Sequence, residues 1–137
     1  MIFDSDVMIW VLRGNESAAK LVEYTKKRGI SILTQLELFQ GVKNREELKL
    51  IKSLFYDFDF IIYPLNENIG HRAAVYSEAF GLSHGLCTVD SLIAASVIEH
   101  NEILCTANTK HFRLIPNLEI KTFKPKNNLQ KNNHLKQ

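Results

Sequence analysis

The stretch TVDSLIAASVIEHNEILCT, residues 88–106, decides what kind of protein this is. From Thr88 to His100 it is apolar through Ala94, Ala95, Val97 and Ile98, so it reads as a helix that must lie inside the molecule. Directly after it, Glu102 to Thr106 reads as a strand. A buried helix followed by an apolar strand is what an α/β domain contains, with helices covering a mainly parallel sheet.

The rest of the chain repeats the alternation. Met1–Phe3 is a minimal strand, and Asp6–Leu12 a short helix, apolar all round and therefore expected to be buried. Asn15 or Ser17 can cap a second helix with Ala18, Leu21 and Val22 inward. Its end is read at Gly29, after the basic run Lys26, Lys27 and Arg28, which itself reads as a solvated face. ISILT (Ile30–Thr34) is a β-branched strand, and QLELFQGV makes a short helix. Asn44 starts another helix, burying Leu48, Ile51, Leu54 and Phe55. FDFIIYP is a third strand, closed by Pro64, and Asn66–Leu82 is helical with Ile69, Ala73, Tyr76 and Phe80 in one stripe. LEIKTF, up to Phe123, is the fifth strand. The expected fold is thus α/β: four to five mainly parallel strands flanked by helices, in one domain over residues 1–123. The stretch 124–137, KPKNNLQKNNHLKQ, lacks periodicity and reads as a flexible basic tail.

Composition excludes several classes of function. The chain has 137 residues, 45% of them hydrophobic and 23% charged, which suits one folded domain. Its net charge of +2 is too small to indicate nucleic acid by itself. No apolar run approaches the roughly 18 residues of a membrane span, and no basic-then-apolar leader opens the chain. Cys87 and Cys105 have no C-x-x-C spacing and read as reduced, mostly buried thiols of a cytoplasmic protein.

In parallel sheets ligands bind beyond the carboxyl ends of the strands. Asp4 ends the first strand, Glu37 lies three residues past the second, Asp90 stands in the first turn of the buried helix, and Thr106 and Asn108 follow the fourth strand. Asp4 can also cap the next helix, and Asp90 can favour a helix dipole. Glu37 sits among Leu36, Leu38 and Phe39, on a helix that looks too apolar for the surface, so burial is expected. Two carboxylates about 4 Å apart repel by about 4 kcal/mol at an effective dielectric near 20. Three together call for a cation, and their oxygens favour Mg²⁺ or Mn²⁺ over zinc or copper. Asp6 is read apart from this set, as first-turn helix chemistry.

Four stretches, in order, give the chain a family resemblance. IFDSDVMIW is similar to the opening strand of the PIN-domain ribonucleases, with its Asp and following hydroxyl residue. TQLELFQGV resembles their E-L-x-x-G element at Glu37, Leu38 and Gly41, and TVDSLIAASVIEHN their Asp before an Ala-rich helix. LCTANTKHF resembles the closing T-x-N-x-x-x-F element at Thr106, Asn108 and Phe112. The likeness is closest to the VapC-type toxins of toxin–antitoxin pairs. It implies a PIN-like three-layer fold and a metal-dependent endoribonuclease. Asp4, Glu37 and Asp90 would hold Mg²⁺ or Mn²⁺, with Asn108 a candidate further ligand and Ser5 and Thr106 steadying the carboxylates. It also implies a homodimer and a VapB-like antitoxin as partner.

The chain departs from the pattern at the closing element, where many members carry a fourth acid. Between Glu102 and Glu119 it has none, which leaves Asn108 or His111 to stand in that place; His111 is expected to pack and hydrogen-bond locally. Lys43, Lys110 and Arg113 lie nearest the site in sequence and are candidates to meet phosphates. Two other classes compete. DSDV after a short strand is similar to the start of haloacid-dehalogenase-type phosphatases, but those need a later Lys and paired acids near the last strands, and LCTANTKHF carries no acid. A PIN-like module that binds without cleaving is the other.

Overall fold

The computed structural model describes residues 1–126. In chain order these form β1 (Ile2–Phe3), α1 (Ser5–Leu12), α2 (Glu16–Tyr24), β2 (Gly29–Ser31), α3 (Ile32–Gln40), α4 (Arg45–Asp57), β3 (Ile61–Tyr63), α5 (Glu67–His84), α6 (Thr88–Glu99), β4 (Leu104–Thr106), α7 (Thr109–Phe112) and β5 (Ile120–Thr122). The strands make one parallel sheet in the order β3-β2-β1-β4-β5. This is the α/β, three-layer architecture expected of a PIN-like chain.

Successive side chains in a strand point to opposite faces, and here both faces are covered. Ile2 and Leu104 join one core with Ile69, Ala73, Ile93 and Ala94 from α5 and α6. Phe3 and Cys105 join the other with Val7, Met8, Val22 and Ile51 from α1, α2 and α4. The stripe Ile69, Ala73 and Tyr76 is buried as its spacing requires, and so are Ala94, Ala95 and Val97 of α6. Asn15, Asn44 and Asn66 each accept a backbone N–H in the first turn of the helix they precede.

Four local expectations need correction. Helix α1 is buried on one side only: Val7 and Met8 are sealed, but Ile9 is 38% exposed. The strand in ISILT ends at Ser31, whose side chain accepts from the Leu33 N–H and turns Ile32–Thr34 into the first turn of α3. A cap outcompeted β-branched propensity there. Helix α2 stops at Tyr24 without a glycine, because Arg28 takes up its open carbonyls. The guanidinium donates to the Val22 and Glu23 carbonyls at 2.5 and 2.7 Å and to the Phe58 carbonyl at 2.8 Å, which ties α2 to the end of α4. Finally, Cys105 is buried, which pushes its thiol up to about 12, but Cys87 is exposed.

Gly29 belongs to β2 and serves close packing. A Cβ there would stand 2.5 Å from Cε2 of Tyr63, a buried ring on the neighbouring strand. At the opposite end of β1 from Asp4, the Met1 amino group and Lys27 pair with Glu102 at 2.8 and 2.9 Å. Of the expected tail, Lys126 reaches α2, where Asn15 donates to its carbonyl at 3.1 Å; residues 127–137 lie outside the described part. Among the described residues no helix is long and apolar enough to cross a membrane.

Gly29→Ala is expected to destabilise the fold by about 1–3 kcal/mol through overpacking. Combining it with Tyr63→Leu should cost less than the two single changes added together. Urea unfolding of the four proteins measures both effects, and strict additivity would show that the ring is not what excludes a side chain at Gly29.

Candidate functional site

Connections set where this site must form. The chain runs outward from β1 to β2 and β3, then crosses back to β4 on the other side of β1. The strand order therefore reverses between β1 and β4, and a crevice opens at their carboxyl ends. Ile2 pairs with Leu104 and Phe3 with Cys105, so the next residue on each strand, Asp4 and Thr106, meet at its mouth.

Asp4 is held at both oxygens. Its backbone N–H donates to the Cys105 carbonyl at 2.9 Å. Oδ1 accepts from the Ser5 N–H at 2.9 Å, and Oδ2 from the Thr106 hydroxyl at 2.8 Å. The capping role and the site role therefore coexist in one side chain. Burial pushes the Asp4 carboxyl from its ordinary 3.8 up to about 6. The charges of Asp6 and Asp90 push the same way, while the bonds from Thr106 and Ser5 oppose them.

Asp6 is the residue that sequence reasoning set aside. It starts in the first turn of α1, yet its Oδ2 accepts from the Ala107 N–H at 3.0 Å and lies 3.4 Å from the Thr106 hydroxyl. Its Oδ1 is buried with no hydrogen-bond partner. Burial raises its carboxyl above the ordinary value, against the N–H donors around it. The signal was the one-residue spacing of Asp4 and Asp6 after a buried strand. What it lacked was any indication that α1 begins beside the turn after β4.

Asp90 enters from the first turn of α6 and is 15% exposed. Its Oδ2 lies 2.8 Å from His111 Nδ1 and accepts from the Cys87 thiol at 3.0 Å. Asn108 Nδ2 lies 3.1 Å from the same His111 nitrogen, and its backbone N–H donates to Thr106 Oγ1 at 3.0 Å. His111 thus has a local neighbour in Asn108, as expected, and also reaches Asp90 on α6, 21 positions away.

Glu37 differs from expectation. It is exposed, as is its neighbour Leu36 at 55%, because α3 turns one side to solvent. Its link to the cluster is the Ser5 hydroxyl, 3.4 Å from Oε2. It also borders a groove of about 580 Å³ between α1, α3 and α4, together with Lys43. Lys110 and Arg113 are exposed on and just after α7.

The structure thus gathers Asp4, Asp6, Thr106 and Asn108 tightly, brings Asp90 within electrostatic reach of Asp4, and leaves Glu37 at the rim. Among the described residues no three His, Cys, Asp or Glu side chains already form a metal cage. The donor set nevertheless suits a hard divalent cation. It consists of carboxylates, one buried oxygen without a partner, and an acid whose charge burial and neighbouring carboxylates make costly, a cost that a cation would relieve.

Comparison with known proteins gives matches along nearly the whole chain. The sequence pattern described as PIN domain matches residues 1–117. Ribonuclease VapC19 from Mycobacterium tuberculosis is 30% identical over 124 residues, spanning 86% of this chain and 96% of that protein. Ribonuclease VapC1 from Rickettsia felis is 32% identical over 132 residues, spanning 92% and 98%. A chain in a toxin–antitoxin complex from Klebsiella pneumoniae superposes with a TM-score of 0.75 at 24% identity, over 88% of this chain and 95% of that one.

Because the Asp4 pKa is higher folded than unfolded, its charge costs nothing below about pH 4 and its full amount above about pH 6–7. Going from 3.8 to about 6 corresponds to on the order of 2–3 kcal/mol. In EDTA, Asp4→Asn should therefore be more stable than the native chain at pH 8, by about 2 kcal/mol. That advantage should fade toward pH 4. Urea unfolding across this range tests it; a less stable variant at pH 8 would mean that the Asp4 hydrogen bonds outweigh its charge.

Proposed function

The chain belongs to the PIN-domain family, alongside VapC ribonucleases, and on that premise we propose that it is a metal-dependent endoribonuclease, the toxin of a toxin–antitoxin pair. The observation that carries the proposal is the half-buried Asp4 carboxylate at the switch point, crowded by Asp6 and Asp90 and charged only at a cost. Such a pocket lowers its free energy by taking up a divalent cation, and it opens where ligands bind in parallel sheets.

Asp4 and Asp90 would hold Mg²⁺ or Mn²⁺, with Glu37 from the rim and Asn108 as a further oxygen. The ion supplies charge neutralisation at an RNA phosphate and a more acidic water. The chain's own residues supply alignment. The Thr106 hydroxyl and the Ser5 N–H fix the two Asp4 oxygens, so the carboxylate cannot rotate away from the crevice. The Ser5 hydroxyl reaches Glu37, an exposed side chain on α3. His111 and Cys87 hold Asp90 in the crevice until a cation competes for the same oxygen. Lys43 beside Glu37, and Lys110 and Arg113 near His111, would meet RNA phosphates and position the strand.

The partner is a VapB-like antitoxin. What supports it, besides the complexes among the structural relatives, is the groove that runs to Glu37. Its walls include Ile9 and Leu50, which are 38% and 57% exposed, apolar surface of the kind that marks an interface. A homodimer acting in the cytoplasm completes the proposal.

The test is cleavage of a defined RNA by purified protein. Cleavage should require Mg²⁺ or Mn²⁺ and stop in EDTA. Asp4→Asn and Asp90→Asn should each lower it by about a hundredfold or more. RNA binding without cleavage in either metal would replace the enzyme by a binding module.

A further inference from the structure

The site contains one carboxylate more than the family-like pattern predicts, and it comes from the first helix. We propose that Asp6 supplies the negative charge that the closing element, with Asn108 in place of an acid, lacks. The proposal rests on the metal-dependent reading above and concerns which residues of this chain set its affinity for the cation.

Position comes first. Asp6 touches the turn that an acid at 108 would occupy, through the Ala107 N–H at 3.0 Å and the Thr106 hydroxyl at 3.4 Å. Asn108 donates its own N–H to the same Thr106 oxygen at 3.0 Å. The two residues therefore flank one hydroxyl, 102 positions apart in sequence, and either could place a carboxylate beside Asp4.

Bonding comes second. Asp6 Oδ2 has donors, whereas Oδ1 is buried and has none. A buried, unpartnered carboxylate oxygen is costly, and most such atoms in proteins find a donor, a water or an ion. Holding the turn needs only one acceptor, and a neutral amide oxygen would do it equally well. That role leaves the second oxygen unused, and the second oxygen is accounted for if Asp6 faces a cation or the water such a cation holds.

Asp6→Asn separates charge from structure, since the amide keeps an oxygen for the Ala107 N–H. Mn²⁺ binding is measured without RNA, by the paramagnetic resonance signal of free Mn²⁺ and by calorimetry, with melting curves to confirm folding. Asp6→Asn should weaken Mn²⁺ binding by about tenfold. Adding Asn108→Asp to that variant should restore most of the loss, because the charge returns on the other side of Thr106. Asn108→Asp alone should gain about threefold or less, since the native chain already has that charge and a further like charge repels it. Native affinity in Asp6→Asn overturns the proposal. Weakened binding that Asn108→Asp does not rescue overturns it too, and leaves Asp6 a structural clamp. If Asp6→Asn fails to fold, the single Asn108→Asp variant decides, and a tenfold gain overturns the proposal. Asp90→Asn keeps the two readings apart. If the native chain binds Mn²⁺ and Asp90→Asn does not, the metal site stands whatever Asp6 does. A native chain that takes up no Mn²⁺ overturns both.

Discussion

The pairing of β1 with β4 is the constraint on which the remainder depends. β1 has two residues, Ile2 and Phe3, both fully buried and each facing a different core. A central strand covered on both faces has no room for a charge along its length. Polar side chains can appear only where the strand ends, and in a parallel sheet all the carboxyl ends lie at one edge. The register with β4 then decides which polar groups meet: Asp4 beside Thr106, with the Asp4 N–H bonded to Cys105. A slip of one residue would exchange Ile2 and Phe3 between the two cores, so hydrophobic packing itself locks the site geometry.

Thr106 is the hub of that geometry, and its chemistry explains the uneven treatment of its neighbours. One hydroxyl has a single proton. It goes to Asp4 at 2.8 Å, while Asp6, at 3.4 Å, relies on the Ala107 N–H instead. The same oxygen accepts from Asn108, so a single buried side chain links β1, β4 and the turn beyond it. On the far side, Asp90 has His111 and Cys87 as partners rather than another acid. The crowding is therefore concentrated on Asp4 and Asp6.

Exposure of Glu37 changes the picture of how such a pocket operates. The carboxylate at the rim has one long bond to Ser5, whereas both Asp4 oxygens accept short ones. It stands where the crevice meets the apolar groove between α1, α3 and α4.

Much of this was legible in the sequence because it depends on periodicity and on residue type. The five strands, the long α5 stripe, the buried α6 and the acids at strand ends all follow from patterns a few residues long. Asp4 and Thr106 were identifiable as polar residues at the ends of apolar strands, and Asp90 as an acid in the first turn of the buried α6. Local patterns failed where a distant group made the decision. Gly29 looked like a helix end, but it lies in β2 against a tyrosine ring on β3, while the guanidinium of Arg28 takes up the end of α2. ISILT looked like a strand throughout, until Ser31 capped the next helix. Glu37 looked buried among leucines, although which side of α3 faces solvent depends on where α1 and α4 pack. Asp6 looked like ordinary first-turn chemistry, and only the approach of the β4–α7 turn to the start of α1 made it a neighbour of Asp4 and Ala107. The sequence by itself determined the layers, the order of elements and the kind of chemistry, since burial and hydrogen bonding along one segment dictate them. Tertiary structure alone decided which charges share a space, because that depends on the packing of segments about a hundred residues apart.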